Sequence, residues 1–211
     1  MKKFLLVDDH KIVRVGVKHL LKEEFSSCMV FEANGENAAI DILKKEKIDF
    51  LLLDLNMPDS DPISILNFAK TIYPSIKILI LSMNDAETYA IRFLKLGVNG
   101  FLNKGVEESE IICAINIILQ DRTYFSDEVK IILAKSLQGK SIDNPFEKLS
   151  SREFQIAKLL VEGKSFNEIA RVLNISPSTV STFKSRIFQK FEIEGNSIAA
   201  LISIAQKYNL V

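Results

Sequence analysis

Asp8 and Asp9 follow the apolar run Phe4-Leu5-Leu6-Val7, and Asp54 follows Phe50-Leu51-Leu52-Leu53. Ser82 closes the run at 77–81, and Lys104 stands just after Val98-Asn99-Gly100-Phe101-Leu102. Three carboxylates in one pocket repel one another unless a cation neutralises them. A hard divalent ion such as Mg²⁺ suits an open site of oxygen ligands. With the charge neutralised, one carboxylate can act as nucleophile toward a phosphoryl group. A lysine and a serine on the same rim can then hold the phosphoryl oxygens by charge and hydrogen bonding. Any one of these residues alone reads equally well as a solvated residue capping a loop. Five of them at successive strand ends point to a site.

That convergence depends on the elements behind the residues. Short runs rich in Val, Ile, Leu and Phe occur at 4–7, 28–31, 50–53, 77–81 and 98–102, and read as buried strands. Amphipathic stretches at 11–24, 36–46, 62–72, 86–95 and 107–120 lie between and after them. The alternation predicts a doubly wound α/β domain with a parallel sheet and helices on both faces, over residues 1–120. Ligands of such sheets bind at the carboxyl ends of the strands, where all five residues fall.

Residues 121–147 change character. A short helix candidate near 127–137 precedes Gly139-Lys140-Ser141-Ile142-Asp143-Asn144-Pro145, and the segment reads as a linker. From 148 to 211 no strand pattern appears. Ser150 with Glu153 and Ser165 with Glu168 form capping boxes, opening helices that run to about 162 and 173. Ser176-Pro177 is an N-cap with proline at the first helical position, opening a helix to about 191. A fourth helix is expected over about 196–208. The result is a small all-α domain with a helix-turn-helix candidate.

The helix from 177 carries Lys184, Arg186 and Lys190, with no acid before Glu192. Val180, Ile187 and Phe191 share one face and are expected to pack inward. Ser178, Ser181, Thr182, Ser185 and Gln189 lie roughly opposite. Short hydroxyls and amides can approach base edges and phosphates, while Lys and Arg supply charge for the backbone. An amphipathic packing helix with a solvated basic face accounts for this helix alone equally well; the three-helix context favours DNA.

The chain has 211 residues, 47% hydrophobic and 26% charged, enough apolar content for a substantial core. Its formal net charge is zero. Residues 148–211 hold nine Lys or Arg against five Asp or Glu, and residues 1–147 hold 18 against 22. An acidic front and a basic back suggest two tasks, with a polyanion at the back. No apolar run approaches the ~20 residues of a membrane span, and the N-terminal run meets Asp8 too soon for a secretory signal. A cytoplasmic protein without a membrane partner is expected. Cys28 and Cys113 lack metal-ligand spacing and are expected as reduced core thiols.

Over residues 1–120 the sequence resembles the receiver domain of response regulators. The resemblance is carried by Leu5-Leu6-Val7-Asp8-Asp9-His10, Leu53-Asp54-Leu55-Asn56-Met57-Pro58, Leu81-Ser82 and Gly100-Phe101-Leu102-Asn103-Lys104. It implies a flavodoxin-like fold with Asp54 as phosphoacceptor. Asp9, Asp54 and the backbone carbonyl of Asn56 are then Mg²⁺ ligands, and Asp8 supports the ion through water. Lys104 pairs with phosphoryl or carboxylate oxygens, and Ser82 and Phe101 form a switch pair. Two features depart from the common pattern. Asp61 is followed by Pro62 where many receivers have glycine, and Gly105 follows the lysine where many have proline.

Over residues 148–208 the sequence resembles the output domain of NarL/FixJ (LuxR-type) regulators, from Leu149-Ser150-Ser151-Arg152-Glu153 through Ile175-Ser176-Pro177-Ser178-Thr179-Val180 to Ile187. The resemblance implies a transcription regulator that is not an enzyme. A sensor histidine kinase phosphorylates Asp54, and the chain binds promoter DNA as a homodimer paired through its last helix. Ser178, Ser181, Thr182, Lys184, Ser185 and Arg186 are the expected DNA contacts, although Ser181 and Phe183 stand where the family often has Lys and His. Two other readings use some of the same residues. Phosphohydrolases of the haloacid dehalogenase type also use a strand-end Asp with Ser, Lys and Mg²⁺, but they usually carry a second Asp where this chain has Asn56. A regulator acting only through protein contacts is the other.

Overall fold

In the computed structural model the described residues are 1–57, 60–83, 93–126, 129–130 and 145–208. The chain divides into two compact units, Met1–Gly139 and Lys140–Val211.

The first unit is built on six parallel strands, β1 (Lys2–Val7), β2 (Cys28–Ala33), β3 (Phe50–Leu53), β4 (Lys77–Ser82), β5 (Gly100–Asn103) and β6 (Tyr124–Phe125), in the order β2-β1-β3-β4-β5-β6. The five expected strands are present. β6 was not anticipated, because a two-residue pairing has no period to read. Every residue of β3 is buried, as a central strand covered on both faces requires. Four helices are described in this unit: α1 (Lys11–Glu24), α2 (Glu36–Lys45), α3 (Pro62–Ile72) and α4 (Glu108–Leu119). Phe4, Leu6, Phe50, Leu52, Leu79, Leu81 and Leu102 pack with Val17 and Leu21 of α1 and with Ile111, Ile115 and Ile118 of α4. The alternate residues of each strand point to the opposite face. The expected helix at 86–95 is helical at 93–95, and its remainder lies outside the described residues, as does most of the helix expected at 127–137.

Gly100 opens β5 because nothing larger fits. A Cβ there would stand 2.9 Å from the side chains of Ile118 and Leu79 and from the Tyr124 carbonyl. This close packing fixes the strand that carries Phe101 and Lys104. Cys28 is half-buried, but Cys113, expected in the core, is exposed: its helical phase puts it on the outer face of α4.

The second unit contains α5 (Ser151–Val161), α6 (Phe166–Leu173), α7 (Pro177–Lys190) and α8 (Ile198–Lys207). Both capping boxes are formed, at Ser150 with Glu153 and at Ser165 with Glu168. Asn174 adopts the left-handed conformation (φ 51°) and turns the chain from α6 into α7. Arg152 Nη2 donates to the Leu173 carbonyl at 2.6 Å, satisfying the end of α6. Pro145–Lys148, at the end of the expected linker, is a 3₁₀ turn. Its Phe146 is buried edge-on against Phe154 and Phe191, with ring centroids 6.3 and 4.8 Å apart. Among the described residues no helix is long and apolar enough to cross a membrane.

Glu153 accepts from the Ser150 backbone N–H at 2.7 Å and pairs with Lys190 at 2.5 Å, joining α5 to α7. Its own burial opposes ionisation. Lys190 and the Ser150 groups outweigh that and hold its carboxyl below the usual range. A folded pKa below the unfolded one contributes stability above the unfolded value, and that contribution is lost as pH falls through the folded value. Glu153→Gln is predicted to destabilise this unit by about 1–2 kcal/mol near neutral pH, discounted because Lys190 is partly exposed. Urea titrations of both chains should converge once the wild-type carboxylate is protonated.

Candidate phosphoacceptor site and nucleic-acid interface

Asp8, Asp54 and Lys104 each follow a strand end and are held there by a backbone bond. Asp8 N–H donates to Ala33 O (3.1 Å), Asp54 N–H to Val7 O (2.9 Å) and Lys104 N–H to Ser82 O (3.1 Å). The main chain therefore fixes where the side chains start. Lys104 Nζ lies 2.6 Å from Asp8 Oδ2 and 2.8 Å from Asp54 Oδ2. The lysine side chain is 7% exposed and that of Asp54 0%, so the ion pair is shielded from water. Single ligand atoms of Asp8, Asp9, His10 and Asp54 lie within 4.8 Å of one another.

Burial pushes the Asp54 carboxyl up from its ordinary range. Lys104 and the Asn56 backbone N–H oppose this, and the Asp8 carboxylate adds to it. The site holds more negative charge than one ammonium can neutralise. Oδ1 of Asp9 and Oδ1 of Asp54 are buried without a well-formed hydrogen bond, a costly state for a carboxylate oxygen. Carboxylate oxygens that converge within ion-binding distance, carrying more negative charge than Lys104 neutralises, fit a hard divalent cation.

Ser82 is fully buried at the end of β4, and Phe101, paired in register with Ile80, is 1% exposed. The ring already lies inside the protein. The Asp61–Pro62 departure re-shapes the loop without loosening it. Asp61 Oδ1 caps α3 through the Ile63 N–H (3.1 Å), and Pro62 takes the first helical position. The Asp61 N–H donates to Glu36 Oε2 at 2.9 Å, and Ser60 Oγ accepts from the Glu36 N–H at 3.1 Å, tying this loop to the start of α2. Pro58 of the same motif lies outside the described residues.

In the second unit Ser178, Ser181, Thr182, Ser185 and Arg186 are exposed on α7. Lys184 is not on their face. It is half-buried, with Nζ 5.5 Å from the Phe166 ring centroid and 5.0 Å from that of Phe188. Arg186 stacks over Phe183 at 5.5 Å. Val180 and Ile187 are buried as expected, and Phe188 joins them.

Residues 4–116 match the family described as the response regulator receiver domain, and residues 147–205 match the luxR family of bacterial regulatory proteins. The chain belongs to the two-component response regulators of the NarL/FixJ (LuxR-type) family. The Fimbriae Z protein of Escherichia coli K12 is 32% identical over 207 residues, covering 98% of this chain and 97% of its own. Response regulator UvrY of the same organism is 29% identical over 193 residues, 91% and 88% of the two chains. RcsB from Salmonella enterica serovar Typhimurium, solved bound to promoter rprA in the presence of the phosphomimetic BeF3⁻, is 29% identical with a TM-score of 0.57. That match covers 96% of this chain and 97% of the RcsB chain. A structure of two RcsB dimers on two parallel DNAs gives 26% identity and a TM-score of 0.59 over 97% and 98%.

Two residues of this response regulator's receiver site were not anticipated. His10 Nδ1 lies 3.1 Å from Asp8 Oδ1 and 2.8 Å from Asp9 Oδ1. Arg14 Nη1 donates to the Asp8 carbonyl at 2.6 Å, while its Nε lies 3.5 Å from Glu32. The sequence signal for Arg14 was its place one turn into the helix that follows Asp8. A basic side chain there reaches back to the strand end.

Proposed function

We propose that this response regulator accepts a phosphoryl group on Asp54 from a sensor histidine kinase or a small phosphodonor, and that the modification promotes promoter binding by a homodimer. The observation that carries the reading is the buried Asp54 carboxylate, paired with Lys104 and flanked by Asp8 and Asp9. Asp9, Asp54 and the Asn56 carbonyl would hold Mg²⁺, with Asp8 in support. The ion supplies charge neutralisation that lets a carboxylate approach an anionic phosphodonor.

The chain's own residues do the rest. Asp54 presents a carboxylate oxygen for in-line attack on phosphorus, and the bond from phosphorus to the donor's leaving atom breaks with its electron pair going to that atom, an imidazole nitrogen of a phosphohistidine or an oxygen of an acyl phosphate. Lys104 stays as counter-ion to the phosphoryl oxygens. The Ser82 hydroxyl turns to donate to one of them. Phe101 is already buried, so the aromatic half of the switch pair needs no further inward turn. The phosphoryl group has only to favour one arrangement of the receiver surface by a few kcal/mol to shift the population toward the DNA-binding form. In that form Ser178, Ser181, Thr182, Ser185 and Arg186 meet the major groove, and Lys184 supports the helix from its seat between two rings. The protein acts in the cytoplasm, where promoters are, and turns over no metabolite.

Intact-mass measurement after incubation with acetyl phosphate tests the site. One phosphoryl group should appear with Mg²⁺ and none with chelator. Asp9→Asn should weaken the Mg²⁺ requirement curve by about 10–100-fold. Phosphoryl incorporation that ignores both the ion and Asp9 would refute the assignment.

A further inference from the structure

We propose that Thr182 and Ser185 read adenine–thymine pairs through hydroxyl oxygens acting as acceptors, aided by the Thr182 methyl group, and that Lys184 reads no base. The inference rests on the DNA-binding reading above and adds the chemistry of its specificity. A hydroxyl has one hydrogen to donate and two lone pairs to offer. Thr182 Oγ1 donates to the Ser178 carbonyl at 3.1 Å, and Ser185 Oγ donates to the Ser181 carbonyl at 3.1 Å. Both side chains are exposed. Their donors are used within the helix, so what remains for a ligand is acceptor capacity.

The major groove distinguishes bases by this property. Adenine and cytosine present amino donors, whereas guanine presents only the N7 and O6 acceptors. Pairing either hydroxyl with guanine would first break its bond to the helix, a penalty of about fivefold in affinity at the usual net worth of a hydrogen bond. Of the two amino-bearing bases, only adenine is paired with a base that carries a methyl group in the groove. With its hydroxyl tied to the helix, β-branched Thr182 is confined to one rotamer, so its methyl is fixed as well. A fixed acceptor beside a fixed methyl matches an adenine–thymine pair.

The usual readers of guanine are Arg and Lys. On this helix Lys184 sits over Phe166 and Phe188, and Arg186 lies over Phe183. Cation–π attraction to two rings keeps the half-buried Lys184 from the groove, while the exposed Arg186, over one ring, remains able to reach it. Ser176 and Ser178, whose hydroxyls lie 2.7 Å apart at the N-cap, are likewise paired within the helix start.

The test uses the full chain with acetyl phosphate and Mg²⁺ to select duplexes from a random library. The enriched duplex is then remade with purine for adenine, uracil for thymine or 7-deazaguanine for guanine. At an adenine–thymine pair in each half-site, loss of the amino group should weaken wild-type binding about fivefold. Loss of the thymine methyl should weaken it about fourfold. Thr182→Val should erase the first penalty and Thr182→Ser the second, while Ser185→Ala erases an amino penalty at a neighbouring pair. Lys184→Met should keep the base ranking. Analogue penalties identical in wild type and in the Thr182 and Ser185 variants would overturn the assignment. So would a 7-deazaguanine penalty that disappears in Lys184→Met. A chain that selects no duplex in either phosphorylation state would overturn the DNA-binding reading itself, and this assignment with it.

Discussion

Lys104→Met will destabilise the receiver unit by about 3–5 kcal/mol in the absence of divalent ions, as expected when one partner of a buried ion pair is removed. The lysine is the cation that lies against both Asp8 and Asp54, at 2.6 and 2.8 Å, and all three side chains are nearly inaccessible to water. Without it two buried carboxylates face each other. Three rescues should follow, each readable in urea titrations of the receiver transition. Asp54→Asn in the same chain removes one charge and should restore about half of the loss. Mg²⁺ should restore part of it by mass action, because the carboxylates proposed to hold it converge only in the folded chain. Lowering the pH should also help. The Asp54 carboxyl is already pushed upward by burial, and a folded pKa above the unfolded one destabilises at high pH and is relieved as pH falls through the folded value. A variant within about 1 kcal/mol of wild type would show that water reaches the site and that the pair is not the anchor.

Asp54→Ala will accept no phosphoryl group from acetyl phosphate, whereas Ser82→Ala will still be labelled. The two variants separate nucleophile from switch. In the proposed function Asp54 provides the attacking oxygen and Ser82 binds only the product, so loss of Ser82 should leave labelling intact while removing most of the gain in DNA affinity that labelling brings. Because Lys104 keeps Asp8 as its partner at 2.6 Å and the site loses an excess buried negative charge, Asp54→Ala is expected to fold at least as well as wild type, so lost labelling will not be a folding defect. Label appearing elsewhere in Asp54→Ala would move the acceptor role to another carboxylate, with Asp8 or Asp9 the first to examine.

Much of this was legible in the sequence because buried parallel strands are apolar along their whole length. Phe50-Leu51-Leu52-Leu53 can hardly be anything else, and a residue placed directly after such a strand lies at the sheet's edge. Asp8, Asp54, Ser82 and Lys104 could therefore be grouped before any contact was known. The capping boxes at Ser150 and Ser165 were equally readable, since their partners stand three residues away. What escaped depends on contacts that no local pattern encodes. Arg14 reaches back to a carbonyl, His10 folds over two neighbouring carboxylates, and the β6 pairing is too short to show a period. Lys184 is an expected DNA contact, but its seat between Phe188 and Phe166, a residue on a different helix, is not written in the sequence around it. Cys113 was misjudged for a related reason: an apolar segment does not reveal which helical phase faces outward.

The central claim is that the state of Asp54 controls DNA binding, and the most direct test is the affinity of the full chain for a selected duplex with and without acetyl phosphate and Mg²⁺, beside Asp54→Ala. Tighter binding on phosphorylation, steeper in protein concentration as two copies engage two half-sites and absent in Asp54→Ala, is the predicted result. Equal affinity in all three preparations would contradict it and leave the buried carboxylate cluster without a part in DNA recognition.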